Sequence, residues 1–402
     1  MEQKKSLKIS VVIFAVVVLV ACGFGWYART KTIAHTTILA DASMPASQPV
    51  SVATPAPVVQ TPSVVGITPA LSYPPVTHIA TPSQVNGIYI SSWSAGTPAS
   101  MAHINTLLAG GKLNAVVIDI KDATGRLSYE PLDPNLLASG VGTNRISNLP
   151  ALIAQLHSKG IYVIGRVAVF QDPFYAAAHP TDALQTTSGV IWKDAGGLAW
   201  LRADDPTVWH YTESIAEDAY AQGFDEINLD YVRFPSDGNL SAIDESGFAK
   251  NKEDTIADFF TDVDTTLRGQ YHIPLSADIF GLTMSTTDDM GIGQKLELIA
   301  PHVDYVCPMV YPSEFADGTY GVKDPAENPY TMISTSLTDG IAKLKVIGLP
   351  ASTLRPWLQD FNLKAVYTPA MVQAQITATN DVGLKSWVFW DPENIYTSSV
   401  LK

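Results

Sequence analysis

Cysteine is nearly absent from this chain, which carries only Cys22 and Cys307 in 402 residues. One sits in an apolar N-terminal run and the other in a segment read below as a strand, so neither a disulfide framework nor a cysteine-rich metal site is expected. The eight histidines are scattered and show no His-x-x-His or His-Glu-x-x-His spacing, so no metal site is predicted. The lack of a Gly-x-Ser-x-Gly elbow argues against a Ser-His-Asp hydrolase, the lack of a glycine-rich phosphate loop after the first candidate strand argues against a doubly wound sheet, and no cofactor is expected. Basic charge is also scarce. Lys and Arg number 25 against 39 Asp and Glu, for a net charge of -14, which argues against nucleic acid as a partner because phosphate binding depends on cations that displace counterions.

What is present divides into three segments. Lys4, Lys5 and Lys8 precede an uncharged run from Ile9 to about Ala28, followed by Arg29 and Lys31. A run of about 20 apolar residues matches the hydrocarbon thickness of a bilayer, so residues 1–29 read as a cytoplasmic stub and transmembrane anchor. A lipoprotein signal with lipidation at Cys22 and a cleaved signal peptide are the alternatives, and all three place the rest outside the cytoplasm. Residues 30–83 are dominated by Ala, Thr, Val, Pro and Ser with little charge, the composition of an extended linker.

From Gln84 to Lys402, short β-branched runs alternate with amphipathic stretches. The candidate strands are Gly87 to Ser91, Ala115 to Ile120, Ile161 to Val167, Glu226 to Tyr231, Leu275 to Phe280, Tyr305 to Met309, Lys345 to Leu349 and Ser386 to Trp390. Helical candidates between them include Ile146 to Lys159, Pro206 to Gln222, Lys252 to Arg268 and Pro369 to Val382. Strands that alternate with helices over such a length predict an α/β fold, a (β/α)8 TIM barrel, with a doubly wound sheet as the alternative.

Such barrels place their chemistry at the C-terminal strand ends. Asp119, Asp230 and Asp278 stand at the ends of the second, fourth and fifth candidates. On the fourth, period-two alternation puts Glu226, Asn228 and Asp230 on one face, toward the barrel axis, with Arg166 or Arg233 as partner cations. An internal ion pair is the other use for such inward carboxylates, of Glu226 above all. Two carboxylates from adjacent strand ends can flank a glycosidic bond, one protonating the leaving oxygen and the other attacking carbon or activating water. Asp230 and Asp278 are therefore the catalytic candidates, and Asp119, Arg166, Glu226 and Arg233 are binding candidates. Trp93, Tyr231, Tyr311 and Trp390 fall at or just beyond strand ends, where flat rings can stack on sugars. Cys307 reads as a buried small hydrophobe.

The ordered blocks Asn114-Ala-Val-Val-Ile-Asp-Ile-Lys-Asp122, Val169-Phe-Gln-Asp-Pro173, Asp230-Tyr-Val-Arg-Phe-Pro235, Ser276-Ala-Asp-Ile-Phe-Gly281, Pro308-Met-Val-Tyr-Pro312 and Leu354-Arg-Pro-Trp-Leu-Gln-Asp-Phe361 give the stretch from about Gly87 to Tyr396 a resemblance. It resembles a bacterial family of glycosyl hydrolase domains, in the clan of TIM-barrel glycosidases that includes the α-amylases. The resemblance implies the barrel fold and a glycan ligand. Analogy with amylase-type barrels implies a nucleophilic Asp at the end of strand four, which Asp230 matches, and a Glu acid at strand five. Asp278 stands there one methylene shorter, and the loop residue Glu314 is the rival for the acid role. Two functions follow as expectations: a glycoside hydrolase acting on an envelope or extracellular polysaccharide, or a catalytically silent carbohydrate-binding or scaffold barrel on the cell surface.

Overall fold

The computed structural model describes residues 76–402, so the apolar run, Cys22 and most of the Pro-rich segment lie outside the described residues. Among the described residues no helix is long and apolar enough to cross a membrane.

Eight parallel strands close into a barrel in chain order. They are β1 (Asn86–Ile90), β2 (Ala115–Lys121), β3 (Tyr162–Ala168), β4 (Glu226–Asp230), β5 (Leu275–Phe280), β6 (Tyr305–Met309), β7 (Trp357–Gln359) and β8 (Trp387–Trp390). The ring shuts where β1 pairs with β8 through Gly87 and Val388. Strands covered on both faces have no solvent side, which is why β2 and β3 are buried along their whole length. Outward residues such as Ile118, Ile120 and Leu229 meet the helices, while Val117, Tyr162, Ile164 and Trp357 fill the barrel itself. Gly165 permits this packing: a Cβ there would lie 2.2 Å from Ile120 Cδ1 and 2.9 Å from Phe224 Cδ1, so a side chain would displace the residues that cover β3 on its outer face.

The helices begin where side chains cap them. Asp205 accepts from Thr207 N ahead of helix Pro206–Ala221, Asn251 from Asp254 N ahead of helix Lys252–Val263, and Thr368 from Met371 N ahead of helix Pro369–Asp381. Two of the three place proline in the first turn, where its missing N–H is not needed.

Two sequence expectations are corrected. The segment Lys345 to Leu349 is not a strand: Lys345 and Val346 close the helix Pro329–Val346, and Gly348 turns the chain at φ +78°. The seventh strand is instead Trp357–Gln359, three residues held between β6 and β8. The folded chain also starts before Gln84. Ile79 N donates to Asp225 Oδ1 at 2.7 Å, Thr81 Oγ1 lies 2.9 Å from the Tyr162 hydroxyl, and His78 stacks on Tyr220 with ring centroids 3.9 Å apart. Asp225 precedes β4, so these residues of the expected linker lie against the N-terminal end of that strand.

Candidate active site

The inward faces of β2 to β5 carry a charged cluster under the barrel mouth. Arg166 of β3 is its centre: Nη1 donates to Asp119 Oδ1 at 2.6 Å, and Nε and Nη2 donate to Asp230 Oδ2 at 3.0 and 2.5 Å. Burial opposes the charge of Arg166, yet Asp230 and Asp119 hold its pKa well above the usual guanidinium value. Asp119 also accepts from the Tyr89 hydroxyl at 2.6 Å; burial still raises its pKa against the pull of Arg166. A bulge after Asp119 turns Lys121 away to a buried pair with Asp172 at 2.7 Å, so the lysine leaves the cluster.

Asp230 ends β4, and its Oδ1 accepts from the next backbone amide, Tyr231 N, at 2.6 Å. That bond comes with a left-handed conformation at Tyr231, φ +55°, which a bulky residue adopts only when its surroundings enforce it. Asp278, on β5, is almost inaccessible. Its Oδ1 accepts from Trp357 Nε1 at 2.7 Å and Asn228 Nδ2 at 2.9 Å, and its Oδ2 lies 3.9 Å from Arg166 Nε. Burial, reinforced by the charge of Asp230, pushes the Asp278 carboxyl up to about 8 against the pull of Arg166. With Oδ1 taken by two N–H donors, the proton of the acid form belongs on Oδ2.

Asp230 Oδ2 and Asp278 Oδ2 thus approach one nitrogen, Arg166 Nε, at 3.0 and 3.9 Å. They are separated by no more than the sum of those distances, which excludes the wider part of the roughly 6.5–9.5 Å range of inverting carboxylate pairs.

Above them opens a cavity of about 800 Å³, whose wall includes Arg166, Asp230, Tyr231, Arg233, Asp278, Tyr311 and Trp390. Trp390 stacks on Tyr89 with centroids 3.9 Å apart and meets Trp357 edge-on. Arg233 is buried among the rings of Phe280, Trp200 and Tyr231, at 4.7, 4.9 and 5.4 Å. Its Nη1 donates to Phe234 O and Ser236 Oγ, and burial lowers its pKa. Glu314 and Asp391 also line the cavity, both raised to about 7 by burial, and Asp360 is raised to about 6.

Of the residues read from sequence, the structure brings Asp230, Asp278, Arg166, Arg233, Tyr231, Tyr311 and Trp390 to one cavity, with Asp119 behind Arg166. Two others lie elsewhere. Glu226 is fully buried at the start of β4, paired with both terminal nitrogens of Arg355 and accepting from Ser276 Oγ and the Tyr162 hydroxyl, so it closes the barrel interior instead of facing the mouth. Trp93 is 62% exposed, lies under the Arg145 guanidinium at 4.8 Å and is not part of the cavity wall. Cys307 is free and buried. Sequence reasoning missed Tyr89, which holds Asp119, and Trp357, which donates to Asp278; the block around Trp357 was visible, but not its place on a strand.

A family profile described as "Putative glycosyl hydrolase domain" matches residues 87–396. No curated protein matches the chain. Among solved structures, a hypothetical protein from Ruminiclostridium thermocellum ATCC 27405 is 30% identical, over 48% of this chain and 96% of its own, with a TM-score of 0.43. The PgaB (BpsB) glycoside hydrolase domain from Bordetella bronchiseptica aligns over 80% of this chain and 99% of its own at 11% identity, with a TM-score of 0.55. An endo-1,4-β-D-mannanase from Thermotoga petrophila RKU-1 aligns over 76% and 88%, at 12% identity and a TM-score of 0.50. At such identities the two hydrolases share the barrel fold with this chain and nothing finer.

Proposed function

The chain belongs to the family of the putative glycosyl hydrolase domain, and from that premise we propose that it hydrolyses O-glycosidic bonds of an envelope or extracellular polysaccharide through Asp230 and Asp278. The observation that carries this reading is the meeting of both carboxylates at Arg166 Nε beneath an open, aromatic-walled cavity.

In this reading Asp278 is the general acid. Its Oδ2 proton passes to the glycosidic oxygen as the bond to the anomeric carbon breaks, and a group pushed up to about 8 still holds that proton at neutral pH. Asp230, oriented by Arg166 and the Tyr231 amide, attacks the anomeric carbon or takes a proton from water that does so. Asp119 is a positioning residue that fixes the second face of the guanidinium. Tyr311 and Trp390 offer flat faces to sugar rings, and Arg233 offers hydrogen-bond donors to their hydroxyls. Hydrolysis outside the cytoplasm fits the apolar N-terminal run and the Pro-rich segment after it, which together suit a barrel held away from a membrane.

The test is reducing-end release from a panel of polysaccharides and peptidoglycan, comparing the wild-type chain with Asp230→Asn. Release by the wild type alone supports hydrolysis. Glycan retention on an affinity gel without release from any substrate would replace it with the silent, carbohydrate-binding reading.

A further inference from the structure

Away from the cavity, the helix Pro206–Ala221 carries His210 and Glu213, three residues apart and therefore on one face. Asp262 stands in the last turn of the helix Lys252–Val263, just before the π-helical segment Asp264–Gln270. One donor atom from each of these three side chains lies within 4.8 Å of the other two. None of them lines the catalytic cavity.

The carboxylates are the unusual part. Glu213 is only 4% exposed, and its Oε1 has no hydrogen-bond partner; nor has Asp262 Oδ2, which is shut off from solvent as well. Thr266 hydrogen-bonds Glu213 from the π-helical segment, and Glu217 adds a further negative charge nearby. Among the described residues, neither Glu213 nor Asp262 is in an ion pair with Lys, Arg or His. Glu213 and Asp262 are close enough to hydrogen-bond each other when one is protonated, and two carboxyls packed together, each with an oxygen that has no partner, are costly unless a proton or a cation is held between them. His210 is exposed, so its imidazole supplies a third donor and a route in from solvent.

We propose that His210, Glu213 and Asp262 form a divalent transition-metal site of the zinc class that clips the helix Pro206–Ala221 to the helix Lys252–Val263. An imidazole nitrogen and carboxylate oxygens are donors that Zn²⁺ accepts, and three protein ligands leave water to complete its tetrahedron. Ca²⁺ needs six or more oxygens, and Mg²⁺ favours oxygen donors in an octahedron, so neither suits a site with a nitrogen and few ligands. The position is structural: it ties together two neighbouring outer helices and leaves the reacting groups untouched.

The full-length chain, stripped with a chelator and dialysed, is titrated with Zn²⁺ alone by calorimetry and followed by thermal unfolding. One Zn²⁺ per chain is expected, with a raised melting temperature, while Ca²⁺ and Mg²⁺ at the same concentration leave it unchanged. His210→Ala, at an exposed position that does not endanger folding, is expected to weaken binding at least about tenfold, the loss that even an outer partner of a metal ligand causes. Glu213→Gln and Asp262→Asn are expected to abolish the thermal shift. Zinc binding that these substitutions leave unchanged overturns the assignment, as does equal stabilisation by Ca²⁺. Absence of binding, together with a higher melting temperature of metal-free Glu213→Gln, means that a shared proton joins the two carboxylates and there is no metal site.

Discussion

Trp357 donates its indole N–H to Asp278 Oδ1 at 2.7 Å, a bond from the shortest strand of the barrel to the proposed acid. Donation to a carboxylate favours its ionised form, so this bond restrains the upward shift that burial imposes on Asp278. Trp357→Phe keeps most of the ring packing and removes the donor. The carboxyl should then hold its proton to still higher pH, and the basic limb of kcat/KM, expected at about 8 in the wild type, should move upward. A limb that stays in place or moves down would separate Trp357 from the acid's titration.

The same residue shows where sequence reading stops. Seven strands were legible because β-branched runs between amphipathic stretches have the right length and spacing for a parallel barrel. Trp357-Leu358-Gln359 has no such run, while Lys345-Val346-Ile347 has one and closes a helix, since periodicity cannot separate short apolar segments. Alternation likewise predicted that Glu226, Asn228 and Asp230 all point inward, which they do, but not their height. At about 3.3 Å per residue, Glu226 lies roughly 13 Å below Asp230, out of reach of the mouth. Its partner Arg355 sits in the connection before the strand that went unrecognised. Trp93 follows β1 closely, but position after a strand end does not tell which way the chain turns.

Stability should fall as pH rises from about 4 to 8. Asp278 has a folded-state pKa of about 8 against an unfolded value near 3.9, so the native state binds more protons across that window and loses stability through it. Glu314 and Asp391, at about 7, and Asp360, at about 6, act in the same direction. Urea midpoints at pH 5 and pH 8.5 should show the drop, and Asp278→Asn should make it shallower. A midpoint that rises with pH would contradict the burial described for these acids.

Glu226 and Arg355 should behave as structural partners. Glu226→Leu leaves the guanidinium uncompensated in the barrel interior and should cost about 3–5 kcal/mol. Arg355→Met alone should cost a similar amount. The double substitution Glu226→Leu with Arg355→Met should cost less than either, because no charge is then stranded. Additive losses in urea unfolding would show that the pair is not coupled.

A chain beginning at residue 76 should be more stable than one beginning at Gln84. The shorter chain loses the Ile79 amide from the buried Asp225 carboxylate, the Thr81–Tyr162 hydroxyl contact and the stacking of His78 on Tyr220. Loss of one buried hydrogen-bond partner costs about 1–3 kcal/mol, which thermal unfolding of the two chains resolves. Identical melting temperatures would make Gln84 the working boundary after all.

The decisive comparison is between Asp230→Asn and Asp278→Asn. The amide is nearly isosteric at both positions, so the barrel should fold in each variant, and circular dichroism with the unfolding midpoint checks this. Asp230→Asn keeps an oxygen for Arg166 but cannot serve as nucleophile or base, so turnover should fall by at least about 100-fold on every substrate. Asp278→Asn removes only the proton donor. A glycan whose leaving oxygen needs protonation should then lose at least about 100-fold, whereas an aryl glycoside with an activated leaving group should lose much less. Equal losses on the two substrate types would take the acid role from Asp278 and leave it to Glu314 or Asp391, cavity-wall acids whose carboxyls are also raised, to about 7. Full activity in Asp230→Asn would remove the pair from the chemistry and leave Arg166 with its aspartates as an ion-pair network that only braces the barrel.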